Sequence, residues 1–516
     1  MDKVAYFKMS GTVIRGCDKD EIPDDLVIPD GVTEIGEGAF EDCTSLTSVS
    51  IPSSVTYIDA SAFWGCTSLV SVTIPGNVKA IGTNYHSHHK YGAFKGCTSL
   101  KSVVIAEGVE RIGSHAFWGC TSLASVTIPA SVTEIGEGAF YGCKSLESIT
   151  IPASVTEIGK SAFYGCESLE SITIPDSVTA IGGGAFRCSG LKTVTIPKGV
   201  KKIDEKTFYE CTSLESVTLT RGVTEIGEGA FEKCMYLESV VIPDSVTKIG
   251  EGAFKSSTSL KSVTIPDGVT EIDCNAFSNC ASLESIRIPE GITEIRDGAF
   301  EKCTSLVSVT IPGNVKTIGS SYNRHGEYGA FKGCTSLKSV VIAEGVEKIG
   351  RQTFASCTSL ASVTIANSVT AIGDGAFSGC PSLEGIAIPD SVTAIGEWAF
   401  ISSGLKTVTI PKGVKTIGKY AFRGCTSLES VTLTRGVMYI GNQAFYDCTS
   451  LENVSVPRSV TKISADAFRN CDNLTVQFDG TKAQWEAIEI EKHEFYYGMG
   501  TFVVKCTDGE IPSQAW

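Results

Sequence analysis

A single phenylalanine recurs through almost the whole chain, and its spacing limits the fold more than any other feature. It stands at Phe40, Phe63, Phe94, Phe117, Phe140 and onward to Phe445 and Phe468, 19 copies in all. Of the 18 spacings between copies, 14 are 23 residues, two are 22 and two are 31. Self-similarity at a fixed short period marks a chain built by stacking one small unit, so domain counts drawn from length do not apply to these 516 residues.

The unit Leu46 to Cys66 shows how each copy folds. Val49 and Ile51 alternate with Ser48 and Ser50, the period of a strand with one buried face. Pro52 stops that strand because it has no N–H to donate to a ladder. Val55 to Ile58 predicts a second, shorter strand, and the segment carrying Ala62-Phe63 predicts a helical or 3₁₀ turn. One unit has too few apolar side chains to close a core. Stacked at about 4.8 Å, like residues lie over like and form one continuous interior, a parallel β solenoid.

A solenoid needs covers at its ends, and the pattern breaks at both. Residues 1–24 hold two alternating runs, Val4 to Met9 and Thr12 to Arg15, around Ser10-Gly11, which predicts a capping hairpin. The repeats occupy 25–472. Residues 473–516 predict a second cap of strand, short helix and strand. There Thr481 and Gln484 have capping-box spacing, Trp485 and Ile488 face the last coil, and Thr501 to Cys506 shields the open edge.

The pattern Leu-x-x-Val-x-Ile-Pro-x-x-Val-x-x-Ile-Gly-x-x-Ala-Phe-x-x-Cys, seen in 46–66 with Asp59 at the Gly position, resembles the BspA-like leucine-rich repeats. Phe478-Asp479-Gly480-Thr481 through Trp485 is similar to the tail of many such bacterial proteins. The expected fold is a β-rich leucine-rich-repeat solenoid, a curved parallel β-sheet with short second strands and short helical turns. The resemblance implies surface-exposed or secreted adhesins that bind a host or matrix protein or glycan. Met1 to Cys17 lacks a basic region followed by an apolar one, and no anchor is read, so surface location rests on the resemblance alone.

Other function classes find little support. A net charge of −15 argues against nucleic acid, and no run approaches the roughly 18 apolar residues of a membrane span. Gly-rich phosphate loops, Gly-x-Ser-x-Gly and His-Glu-x-x-His are all missing, so no catalytic residue and no cofactor is expected. His86, His88 and His89 sit too close together on a loop to close a tetrahedral metal site alone, and no metal is expected. Sixteen of the 20 Cys stand three residues after the repeat Phe, with Ser257 and Ser403 in their place twice and Cys188 displaced. They read as a column of small buried thiols, reduced rather than bridged.

Two features give the surface individuality. Both 31-residue spacings come from eight extra residues, near 83–91 and 320–328, and the stretches 69–113 and 306–350 match at 37 of 45 positions. Six of the eight differences lie in these inserts, yet Tyr85, His88 and Tyr91 recur as Tyr322, His325 and Tyr328. Insertions in solenoids map to loops on one face, often the binding face. Independently, Trp118, Tyr141 and Tyr164 follow the Phe in three successive repeats and predict an aromatic stripe. These nine residues are the candidate binding residues of a non-enzymatic, monomeric interaction module. The alternative is a structural or self-assembling repeat protein without an external ligand.

Overall fold

The computed structural model describes residues 6–82, 92–319, 328–464, 466–491 and 501–515. They form two compact units, Met1–Leu260 and Lys261–Trp516. Each is a stack of coils carrying a longer strand and a two-residue strand.

In the first unit, β1 (Phe7–Ser10) and β2 (Val13–Cys17) form an antiparallel hairpin turning at Gly11, whose φ is +64°. β2 then pairs in parallel with Glu34–Ile35, which starts the ladder of short strands. The longer strands Asp25–Val27, Ser48–Ser50, Ser71–Ile74, Ser102–Ile105 and Ser125–Thr127 pair in chain order. Register is strict: Val49 opposes Val72, Val72 opposes Val103, and Val103 opposes Val126. A one-residue slip would turn every buried Val outward, so burial of this column fixes the register.

The second unit repeats the arrangement. Ser308–Ile311, Ser339–Ile342 and Ser362–Ile365 pair in parallel, as do Thr407–Ile410, Ser430–Leu433, Asn453–Val456 and Thr475–Phe478. The helix α1 (Lys482–Glu486) carries the expected capping box, with Thr481 and Gln484 each satisfying the other's backbone N–H. Trp485 and Ile488 are buried. Thr501–Cys506 adds to the sheet edge as expected, and a further strand, Gly509–Ala515, closes it in antiparallel pairing.

The core is a set of side-chain columns. The repeat Phe rings are fully buried and stack nearly parallel, from Phe40–Phe63 at 5.1 Å to Phe231–Phe254 at 5.2 Å in the first unit. In the second they run from Phe277–Phe300 to Phe445–Phe468, both at 5.4 Å. Burying each ring contributes about 2–3 kcal/mol, so this column is a principal source of cohesion. At the ends the geometry changes: Phe7 meets Phe40 at 77° and Phe502 meets Phe468 at 74°. Edge-to-face rings finish each stack with apolar cover.

The Ala-Phe segment, where the sequence predicts a helical or 3₁₀ turn, is a run of turns closed three residues back and not a continuous helix. Its N–H groups alternate: Ala39, Glu41 and Cys43 bond three residues back, while Gly38, Phe40 and Asp42 donate to Ala60, Ala62 and Trp64 of the next coil. Half of the donors are thus spent between coils, and a helix, which keeps them inside one segment, cannot form. The alternation needs left-handed residues. The position two after the Phe has φ between +53° and +75° in every repeat, from Asp42 to Asn470, and the position two before it is left-handed in most. The insertions leave this core untouched, since Phe63–Phe94 and Phe300–Phe331 stack at 5.0 and 5.1 Å across them.

Candidate binding surface

The turn that buries each Phe projects its neighbours outward, and these build the surface of interest. Side chains directly after the Phe form one column, and those two and three before it form two more. The residues two before and one after the Phe sit on backbone whose N–H groups are mostly used within the turn or between coils.

Of the predicted residues, the structure brings Trp118, Tyr141 and Tyr164 together. Trp118 stacks on Tyr141 at 3.8 Å and Tyr141 on Tyr164 at 4.3 Å, with interplanar angles of 10° and 1°. All three are half-buried. Cations in the same column extend this stripe. Lys95 Nζ lies 5.0 Å from the Trp118 ring, and the Arg187 guanidinium sits between Tyr164 at 5.3 Å and Tyr209 at 4.5 Å. Lys233 follows, 5.1 Å from the Tyr209 ring and 2.9 Å from its hydroxyl, and pairs with Glu210 at 2.6 Å. Cation–π contacts of this kind each contribute about 0.5–1 kcal/mol where partly exposed. Burial pushes the Tyr164 phenol up to about 12, so it stays protonated as a donor.

The second unit places its aromatics differently. Trp398 and Tyr420 stack at 5.9 Å, but they stand two residues before the Phe, in left-handed backbone at φ +56° and +60°. Arg423 lies between Tyr420 and Tyr446, at 5.5 and 4.8 Å.

A groove opens on this face in each unit. The first, about 480 Å³, is bounded by Lys95, His115, Trp118, Glu137 and Tyr141 around Gly138. The ring of His115 leans on Trp118 at 4.8 Å, and burial holds its pKa below the usual 6.5, which leaves the imidazole neutral near pH 7. The second groove, about 350 Å³, is bounded by Lys332, Arg351, Gln352, Asp374, Ser378 and Trp398 around Gly375. Lys332 donates to Gln352 Oε1 at 2.9 Å, and Asp374 Oδ1 accepts the Glu397 N–H at 2.9 Å.

Tyr328 is 41% exposed at the edge of its insertion. Tyr85, His88, Tyr91, Tyr322 and His325 lie outside the described residues, as does the His86 to His89 cluster. Among the described residues no group of three His, Cys, Asp or Glu is arranged to hold a metal, and no helix is long and apolar enough to cross a membrane. The thiol column is inward and inert: all 20 Cys are free, and most are buried. Burial pushes thiols such as Cys66 and Cys211 up to about 12, so they are protonated and unreactive. Cys17, which showed no role in the sequence, meets Cys43 with sulfurs 3.2 Å apart and ties the hairpin to the first coil.

A family model for the BspA type leucine rich repeat region matches in six copies, over residues 22–91, 87–215, 201–328, 325–412, 347–475 and 401–497. Among solved structures, a leucine-rich repeat protein from Bacteroides ovatus is 30% identical, covers 79% of this chain and 92% of its own, and superposes with a TM-score of 0.59. One from Eubacterium ventriosum is 24% identical over 55% of this chain and 84% of its own, TM-score 0.40. A leucine rich repeat protein of T. pallidum is 36% identical over 33% of this chain and 72% of its own, TM-score 0.27. No curated protein matches the chain.

Proposed function

The chain belongs to the BspA-type leucine-rich repeat family, and from that premise we propose that it is a non-enzymatic, adhesin-type binding module acting at a cell surface or after secretion. Its partner is a host or matrix protein or a glycan, engaged through the turn face and the two insertions. Nucleic acid and membrane insertion have no place in this reading, and the binding species is the monomer.

The observation that carries it is the pair of insertions. They interrupt the period without disturbing the Phe stack beneath them. Packing therefore does not require them. The chain nevertheless has them twice, with Tyr85, His88 and Tyr91 recurring as Tyr322, His325 and Tyr328 amid changed neighbours. Residues the fold does not need, kept at matching places in the repeat, are suited to recognition. The stacked Trp118, Tyr141 and Tyr164 add aromatic area with polar tips close by. Presenting the full chain to immobilised matrix proteins and glycans tests the reading. Saturable binding to at least one is expected, and binding to none contradicts it.

A further inference from the structure

The two grooves occupy equivalent places. Moving 237 positions along the chain carries Lys95 to Lys332, Glu137 to Asp374 and Gly138 to Gly375, and the His115 position becomes Gln352. Each groove lies one coil beyond an insertion. The residues that close the insertions, Gly92 and Gly329, press against the carbonyls of His115 and Gln352, and a Cβ on either would collide with them. The aromatic wall has changed sides, with Trp118 and Tyr141 becoming Ala355 and Ser378 and Ser161 becoming Trp398, and Ser114 has become Arg351.

From this correspondence we propose that the two grooves are a duplicated pair of saccharide-binding sites, each taking one or two sugar rings of a neutral glycan. The inference rests on the binding-module reading above and specifies its ligand.

Three observations select this chemistry. First, each groove is a slot made by a missing side chain. Gly138 and Gly375 have φ of +57° and +60°, and a Cβ on Gly138 would meet His115 Cδ2 at 2.7 Å. The space is small, and its 350–480 Å³ suits a small guest rather than a peptide strand. Second, the lining supplies both donors and acceptors of hydrogen bonds and carries both signs of charge, with Arg351 as a further cation in the second groove. A lysine and a carboxylate stand in each groove, with a neutral imidazole in one and an amide in the other. Hydroxyl groups, which donate and accept, satisfy such a lining, whereas a single anion or cation meets a like charge in it. Third, much of the local backbone N–H is already spent. His115 donates to the Glu137 carbonyl, Phe117 to that of Ala139, and Trp118 to that of His115. A peptide therefore finds few main-chain donors in a row to pair with, and the aromatic side chains are left to meet a sugar, by ring edge and phenol in the first groove and by ring face in the second.

The walls differ in what they expose. Tyr141 covers one face of Trp118, leaving ring edges and a phenol. Trp398 has Tyr420 on one side and the side-chain-free Gly375 on the other. The second groove is accordingly the tighter site.

The test uses residues already present at the equivalent positions of the other groove, and a cooperative thermal melt checks that each variant folds. W118A/Y141S installs the residues of the second groove in the first, and W398S does the reverse. The full chain is screened on an array of neutral and acidic oligosaccharides, and its best neutral oligosaccharide is titrated calorimetrically. About two sites per chain are expected, about one after either swap with W398S removing the tighter, and none in the triple variant although it still melts cooperatively. A parent that binds no saccharide, or a triple variant that binds like the parent, overturns the assignment. Capture of a matrix protein without any array signal overturns the saccharide sites and leaves the binding-module reading standing; silence in both assays removes both.

Discussion

The hydroxyl of Ser257 donates to the carbonyl oxygen of Phe231, 26 residues earlier, at 2.9 Å. Cys234 Sγ reaches Phe208 in the same way at 3.2 Å, and Cys120 reaches Phe94 at 3.2 Å. Ser257 thus shows what the column requires: a small donor pointing at the preceding coil.

Substitutions at Cys120 should follow that requirement. Cys120→Ser keeps the donor and is expected to change stability by less than about 1 kcal/mol, whereas Cys120→Val removes it and adds bulk against a packed carbonyl, costing about 1–3 kcal/mol. Denaturant melts of the two variants decide it; equal loss in both would mean that the thiol serves only as filler. Because the column is reduced, protein prepared without reductant and then denatured should titrate close to 20 thiols.

The left-handed turn positions predict opposite signs for two simple changes. Ser161 has φ +54° and Gly142 φ +70°, and a Cβ on Gly142 would touch nothing closer than 3.9 Å. Ser161→Gly should stabilise by a few tenths to about 1 kcal/mol and Gly142→Ala should destabilise by about 1–2 kcal/mol, through backbone preference alone. Thermal melts that move together, or not at all, would remove the conformational argument.

High pH should unfold the chain early. Burial raises Cys66, Cys211, Cys380 and Cys471 from an ordinary value of 9.0 to about 12. A folded thiol then keeps its proton after the unfolded chain has lost it, so its contribution is complete below pH 9.0 and is lost as pH rises toward 12. Each such thiol removes about 1.4 kcal/mol per pH unit in that window. Urea midpoints should fall steeply above pH 9.0, and less steeply when several column cysteines are replaced by serine.

Much of this architecture was legible in the chain, because periodicity marks strands, stops and the thiol column directly. The hairpin at Gly11 and the capping box at Thr481 carry local signals of their own. The turns were harder. Lys206, Trp398 and Tyr420 stand in left-handed backbone that their side chains disfavour, and only the glycines at the same place in other repeats reveal the position. The grooves were hidden for a related reason. Each is the gap left by one glycine between neighbours in adjacent coils, which no single repeat displays. Arg187 between Tyr164 and Tyr209 likewise becomes a ladder only when repeats are aligned.

The terminal cover predicts the effect of truncation. We propose that residues 473–516 act as a cap, since Phe502 closes the Phe column against Phe468 at 5.7 Å and Trp485 is 1% exposed beneath the last strands. Deleting them uncovers an unpaired strand and apolar interior, and the truncated chain is expected to aggregate. Light scattering that showed a stable monomer with the parent's melting curve would refute the cap.

The insertions bear most directly on function. Excising residues 83–90 and 320–327 restores the 23-residue spacing on both sides, and the Phe stack beneath needs neither segment. With a matrix protein or glycan bound by the parent, affinity of the double excision for the same partner is the deciding measurement. The predicted result is an unchanged melting temperature with binding weakened about tenfold or more, a loss of roughly 1.4 kcal/mol. Equal affinity in parent and excised chain would contradict a recognition role for the insertions.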